Sequence, residues 1–441
     1  MLGLQQKFVN NIDGILGLNK PKRIGIAVSG GADSVALLHL AVLWSKINKL
    51  EITVFSVDHN LRPESKAEIA HVKNLANKFG FGFVPLFWDG GSEKSAIQAR
   101  ARKARYSLIQ EHSKSLGVSL MLTAHHFDDM LETYLIKKSK KSSILALTPN
   151  ITHFIDNMWV VRPLFNITKK DLMEYLLQNN IHWFEDASNS SDKYERSRVR
   201  KNIAALDIGQ KTALINEYNL VIDKAKKIGS DFIAAFAETV SIYNYGFAKI
   251  DLAKFAGLDK EVKIHLLNHI LTIISGKTII PRYRSLSKII NSIDNNAMKA
   301  STLSSCKLVS KNKSLIIYKE KASITQNEDE FKNQIFWDQR FQLTTSDDCD
   351  QLRFLKHKDC MISNLEMADY VKLKKNLDLK KLAEISNNSH KAILFTLPVI
   401  KNLEKVIAIP HISYYDGGLN DNINIKASFC PKFISRFTHF F

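Results

Sequence analysis

The segment from Arg23 to Trp44, RIGIAVSGGADSVALLHLAVLW, leaves this chain few ways to fold. Ile24, Ile26 and Val28 alternate with small residues, the period of a short buried strand. Ser29-Gly30-Gly31-Ala32-Asp33-Ser34 follows, and Val35, Leu37, Leu38, Leu40, Ala41 and Trp44 then supply a helical apolar face. A strand, a glycine turn and a helix N-terminus together form an anion site. Glycines let backbone N–H groups close on phosphate oxygens, and the helix dipole adds positive potential. Ser29 and Ser34 add hydroxyl donors, and Asp33 puts a carboxylate where a phosphate-bound Mg²⁺ would sit. No Gly-Lys-Ser/Thr ends the loop, so it is not a Walker A motif. The plainer reading of the same residues is an ordinary βα turn with a helix cap.

Three further strands follow, over Glu51–Val57, Phe81–Phe87 and Val118–Thr123, with helices between them. Pro63 opens the first of these helices and Gly80 stops it. Such alternation predicts an α/β fold, a doubly wound parallel sheet in which polar residues at the strand ends line the ligand crevice. Asp58 ends the second strand, and His125, His126, Asp128, Asp129 and Glu132 follow the fourth. Read as helical, 125, 128, 129 and 132 share one face. Zinc would accept such ligands, but hard carboxylates beside a phosphate loop suit Mg²⁺ better.

The chain carries SGGADS (29–34), VDHNLRPES (57–65), ARKARY (101–106), TAHHFDDMLET (123–133), VRPL (161–164) and WFEDASN (183–189), in that order. The loop resembles that of the PP-loop ATP pyrophosphatases, and the whole series resembles the tRNA(Ile)-lysidine synthetases of that class. The resemblance implies an active site with His125, His126 and Asp129, and with Asp33 and Asp129 as Mg²⁺-binding or catalytic carboxylates. It assigns ATP to Ser29, Gly30, Gly31, Ala32, Asp33, Ser34 and Asp58. It also makes Arg102 and Arg105 catalytic-domain arginines, one helical turn apart, that support ATP phosphates or RNA. Two departures stand out. Lys137 to Ser143 replaces a glycine-bearing RGSG-like loop, and Arg196-Ser197-Arg198 lacks the family's Arg-Asn.

A formal charge of +18 points to a polyanionic partner. No run long and apolar enough for a membrane span occurs, and no signal-peptide pattern opens the chain. The cysteines, Cys306, Cys349, Cys360 and Cys430, form no CxxC pair, which suits a reducing cytoplasm. None precedes 306, which argues against a tRNA thiolase carrying sulfur on cysteine in the catalytic half.

With 441 residues the chain divides into several domains. We expect a PP-loop catalytic domain over 1–205, a mainly helical tRNA-contacting domain over 206–325, and a small α+β tRNA-binding domain over 326–441. Lys193, Arg196, Arg198, Arg200 and Lys201 read as a phosphate-contacting helix, and Pro281 to Arg284 as a basic-aromatic surface turn. Leu308–Tyr318 reads as a hairpin turning at Asn312, Asn327–Asp347 as a linker, and Val406–Tyr414 as a strand.

The resemblance implies the reaction. ATP adenylates the C2 oxygen of the wobble cytidine in the isoleucine tRNA with a CAU anticodon, and the ε-amine of L-lysine then displaces AMP. His125, His126 and Asp129 are the candidates to take the amine's proton. A homodimer is allowed. The rival readings are another PP-loop tRNA-modifying enzyme and a non-catalytic RNA-binding protein that keeps the nucleotide fold.

Overall fold

The computed structural model describes residues 2–17, 20–58, 65–88, 97–155, 158–184, 195–277, 281–325, 335–345, 360–402, 405–416 and 425–431. The chain forms two compact units, Met1–Lys226 and Lys227–Ile434.

In the first unit, helix α1 (Leu2–Leu16) leads into strand β1 (Arg23–Ala27) and helix α2 (Ala32–Asn48). Strand β2 (Glu51–Asp58), α3 (Ser65–Phe79), β3 (Gly82–Phe87), α4 (Ile97–Ser115) and β4 (Leu120–Leu122) follow. Then come α5 (Phe127–Ser139), α6 (Ile144–Leu147), β5 (Thr152–Ile155), β6 (Met158–Val161), α7 (Lys169–Gln178) and α8 (Glu195–Ala204). The sheet order is β3-β2-β1-β4-β6-β5, parallel except for β5 at the edge. From β1 the chain winds one way to β2 and β3, then returns to β4 on the other side. A crevice therefore opens at the carboxyl ends of β1 and β4.

Ile24 and Ile26 face α1, α2 and α7, packing with Phe8, Leu38, Trp44, Leu172 and Leu176. The other face buries Phe55, Leu86, Ile109, Met121 and Val160 under α4. Helices cover both faces, so the strands are apolar throughout rather than alternating. Gly25 belongs to this packing: a Cβ there would lie 2.4 Å from Met121 Cε. Truncating Leu38 to Ala in this core would cost about 2–5 kcal/mol.

Helix α9 (Ile208–Thr239) begins in the first unit, where Tyr218 packs edge-on against Phe127 and Tyr134 of α5. Leu214 and Ile215 join Tyr218 in burying the outer side of α5.

The second unit is less helical than the apolar pattern of 206–300 suggests. Strands β7 (Val240–Tyr243) and β8 (Phe247–Asp251) form a hairpin, with Gly246 at φ +71° in its turn. After α10 (Leu252–Ala256), α11 (Lys260–Ser275) and α12 (Tyr283–Asp294) come β9 (Ala300–Leu303), β10 (Cys306–Lys311) and β11 (Ser314–Lys319). Their sheet order is β7-β8-β11-β10-β9. The expected hairpin turns at Asn312 and Lys313, both left-handed (φ +50° and +57°). Tyr283 donates to Glu261 Oε1 at 2.6 Å, so the aromatic member of the 281–284 spot serves the fold.

Residues 335–345 are not linker. They form a hairpin, β12 (Ile335–Trp337) and β13 (Phe341–Thr345), whose turn residue Asp338 is buried. Lys319 Nζ and Arg340 Nε donate to the two oxygens of Asp338 at 2.6 and 2.7 Å, and Arg340 Nη2 reaches Thr396 O at 3.0 Å. One buried carboxylate thus ties β11 to the hairpin. The rest of 327–347 lies outside the described residues. The strand expected over Val406–Tyr414 runs only over Val406–Ile409, because a 3₁₀ turn at Pro410–Ile412 ends it.

Candidate active site

The loop closes β1 onto α2 by its own hydroxyls. Ser29 N donates to Ser34 Oγ at 3.1 Å, and Ser34 Oγ donates to Gly31 O at 2.9 Å. Gly30 holds φ +89°, a conformation that L side chains rarely adopt, and a Cβ there would only touch Glu68 Cβ at 3.4 Å. Gly31 is the N-cap of α2, and Asp33 lies in its first turn.

His125 does not share a helix face with Asp128, Asp129 and Glu132, although the spacing suggests it. Helix α5 begins at Phe127, and His126 is its extended N-cap residue, its N–H held by Asp129 Oδ2 at 3.1 Å. That places His126 at the end of β4, next to the loop: its Nε2 lies 3.5 Å from Asp33 Oδ2 and 3.7 Å from Asp129 Oδ2. Its Nδ1 lies 3.3 Å from Asp128 Oδ2. Burial opposes its protonation, but the hydrogen bonds it donates to Asp128 and Asp33 and the charges of Asp129 and Asp33 prevail, raising its pKa to about 10. His125 Nδ1 pairs with Thr123 Oγ1 at 3.1 Å. Asp128 Oδ2 also accepts the Lys169 N–H at 2.8 Å, tying α5 to the start of α7.

Asp129 and Glu132 face two arginines of α8. Arg196 donates to Asp129 Oδ1 and Glu132 Oε2, both at 2.6 Å, and Arg200 Nε donates to Glu132 Oε1 at 2.6 Å. These two arginines turn inward to carboxylates instead of outward to phosphate; Arg198 is exposed. The sequence signal was present but unpaired: acids three apart on α5, bases four apart on α8.

The two carboxylates named for Mg²⁺ differ. Asp33 Oδ1 is buried without a hydrogen-bond partner, as a ligand awaiting a cation would be. Asp129 has one oxygen on Arg196 and the other on the His126 N–H. Among the described residues, no cluster of three or more His, Cys, Asp or Glu side chains is arranged to hold a metal by itself. Asp58 ends β2 and is buried. Arg102 and Arg105 stand on α4, with side chains outside the described residues, as are 59–64 and 185–194.

A further contact was not foreseen. Phe184 N donates to Gly30 O at 3.0 Å, and the two segments pair as a short parallel bridge.

Residues 4–206 match the model of the PP-loop domain. Over 440 residues the chain is 41% identical to a tRNA(Ile)-lysidine synthase of Rickettsia bellii, covering 99% of this chain and 100% of that protein. The chain belongs to the tRNA(Ile)-lysidine synthase family. A second member, from Rickettsia akari, is 41% identical over 439 residues, again across its full length. Among solved structures, a U34-tRNA thiolase from Methanococcus maripaludis aligns with 49% of this chain and 78% of its own, at 14% identity and a TM-score of 0.41. In this lysidine synthase family member the RGSG-like loop is replaced by a lysine turn. Lys141 takes the left-handed position (φ +52°), with Lys141 N bonded to Lys138 O and Ser142 N to Lys137 O.

Proposed function

We propose that this enzyme ligates L-lysine to C2 of the wobble cytidine of the CAU-anticodon isoleucine tRNA. The full-length match to lysidine synthases carries the reading, and the loop–histidine–carboxylate geometry supports it. The cytidine C2 oxygen attacks the α-phosphorus of ATP, and pyrophosphate leaves. The lysine ε-amine then adds to C2, loses a proton, and AMP departs with the C2 oxygen.

The N–H groups and hydroxyls of Ser29 to Ser34, with the N-terminus of α2, bind and orient the departing pyrophosphate. Asp58, at the neighbouring strand end, lines the nucleotide side. Mg²⁺, held by Asp33 with Asp129 as the second carboxylate of the reading, supplies charge neutralisation for the phosphates. Asp129 would have to yield its Arg196 bond to serve. His125 and Asp129 are the groups that take the amine's proton, while His126, which Asp128 and Asp33 keep protonated, holds its positive charge beside the loop. Arg102 and Arg105 support the phosphates or the RNA. The wobble base must leave its stack, at little cost in a single-stranded loop.

Within this reading 1–205 is catalytic, while 206–325 and 326–441 grip the tRNA, mainly through phosphates. Lys372, Lys374, Lys375, Lys380 and Lys381 are all exposed, and they favour such a grip. No helix among the described residues is long and apolar enough to cross a membrane. We place the reaction in the cytoplasm, where tRNA is modified.

The test is incorporation of radiolabelled L-lysine into bulk bacterial tRNA with and without ATP. ATP-dependent labelling that vanishes in Asp33→Ala supports the reading. Pyrophosphate release with RNA but no lysine labelling would point to another nucleophile on the same fold.

A further inference from the structure

We infer that Phe184 is a positioning residue for the phosphate loop, an assignment that rests on reading Ser29 to Ser34 as the ATP site. Gly30 O accepts the Phe184 N–H at 3.0 Å. In a planar trans peptide the carbonyl and the next N–H point in opposite directions. Fixing Gly30 O toward Phe184 therefore turns the Gly31 N–H to the opposite face of the loop, the face assigned to phosphate. Gly30 has no Cβ and sits at φ +89°, so its own torsions hold this plane weakly.

Phe184 is held in turn by α3. Its ring lies 5.4 Å from that of His71 and 5.5 Å from that of His182, both edge-on. His71 Nε2 pairs with His182 O at 2.9 Å, anchoring the backbone two residues upstream. Glu68 and Val72, on the same side of α3 as His71, wall Gly30 from behind, 3.4 and 3.7 Å from where a Cβ would stand. The glycine is thus clamped between a helix and a bridging segment. None of Phe184, His71 or His182 belongs to the cluster around Asp33 and His126, so their effect on nucleotide binding passes through the loop backbone.

The test uses the full chain and the non-cleavable analogue α,β-methylene-ATP with Mg²⁺, titrated calorimetrically, beside tRNA affinity and Tm. Phe184→Ala keeps the N–H but removes the ring that fixes it against His71 and His182, and should weaken analogue binding by up to about tenfold, the scale of the one hydrogen bond left unanchored. Phe184→Tyr should restore it, and tRNA affinity should stay within about twofold of wild type. His71→Ala, on the same device, should weaken the analogue too, and the double variant should lose little more than Phe184→Ala alone. Unchanged analogue affinity in both single variants overturns the assignment. So does a parallel fall in Tm and tRNA affinity that tyrosine does not rescue, because that marks a packing role. A wild type that binds the analogue yet attaches no lysine overturns the functional reading alone; one that binds no analogue overturns both.

Discussion

Arg196 Nη2 lies 2.6 Å from Asp129 Oδ1, and the same guanidinium reaches Glu132 at 2.6 Å through Nε. Arg200 doubles the grip on Glu132, whose side chain is only 2% exposed. A carboxylate so buried depends on these two partners, since water scarcely reaches it. Glu132→Gln leaves two guanidiniums facing a neutral amide and should cost about 2–4 kcal/mol of stability. Urea unfolding measures this, and an unchanged midpoint would refute a structural role for the cluster.

Asp33 offers the loop a buried oxygen with no hydrogen-bond partner. Asp33→Ala should abolish ATP-dependent pyrophosphate release while tRNA binding persists. Normal release by the variant would remove Asp33 from the reaction.

His265 and His269 are buried and His411 has both ring nitrogens shut off from water, and desolvation pushes each imidazole down to about 4 from an ordinary 6.5. Between pH 6.5 and 4 the unfolded chain takes up protons that the folded chain refuses, so stability falls as pH drops through that window. Linkage sets the loss at up to about 2 kcal/mol per histidine at pH 5. Thermal melts at pH 7 and pH 5 should show the fall, and His411→Phe should shallow it. A variant with the wild-type pH slope would exclude His411 as a source.

Lys141 sits at φ +52° in the turn after α5, where a side chain costs about 1 kcal/mol relative to glycine. Lys141→Gly should therefore raise stability by about 0.5–1 kcal/mol, read as a higher Tm. A lower Tm would mean that the lysine makes compensating contacts.

The +18 charge predicts a tRNA affinity that falls at least about tenfold between roughly 50 and 200 mM salt, through counterion release. A flat salt titration would be incompatible with a phosphate-dominated grip.

Much of the first unit was legible in the sequence. The strand before SGGADS, the helix after it and the glycine stop of α3 all occur where local pattern puts them, because period and turn chemistry act over a few residues. The hairpin of β7 and β8 was not legible, since its short apolar run continues the helical pattern of α9 without a break. The 335–345 hairpin was hidden by its polar flanks and by Asp338, a residue that reads as solvated until Lys319 and Arg340 are seen around it.

The sequence by itself determined the chemistry-bearing loop, the doubly wound sheet and the family, because these follow from local periodicity and from motifs whose order along the chain is meaningful. Only the tertiary structure decided which charges meet. Arg196 and Arg200 could have served phosphate or carboxylate equally well. They serve Asp129 and Glu132 because the packing of α8 against α5 removes water from that side, and a buried carboxylate takes the nearest guanidinium. Phe184 likewise carries no mark of its contact with Gly30, since a backbone hydrogen bond between residues so distant in sequence exists only once the chain has folded around the loop.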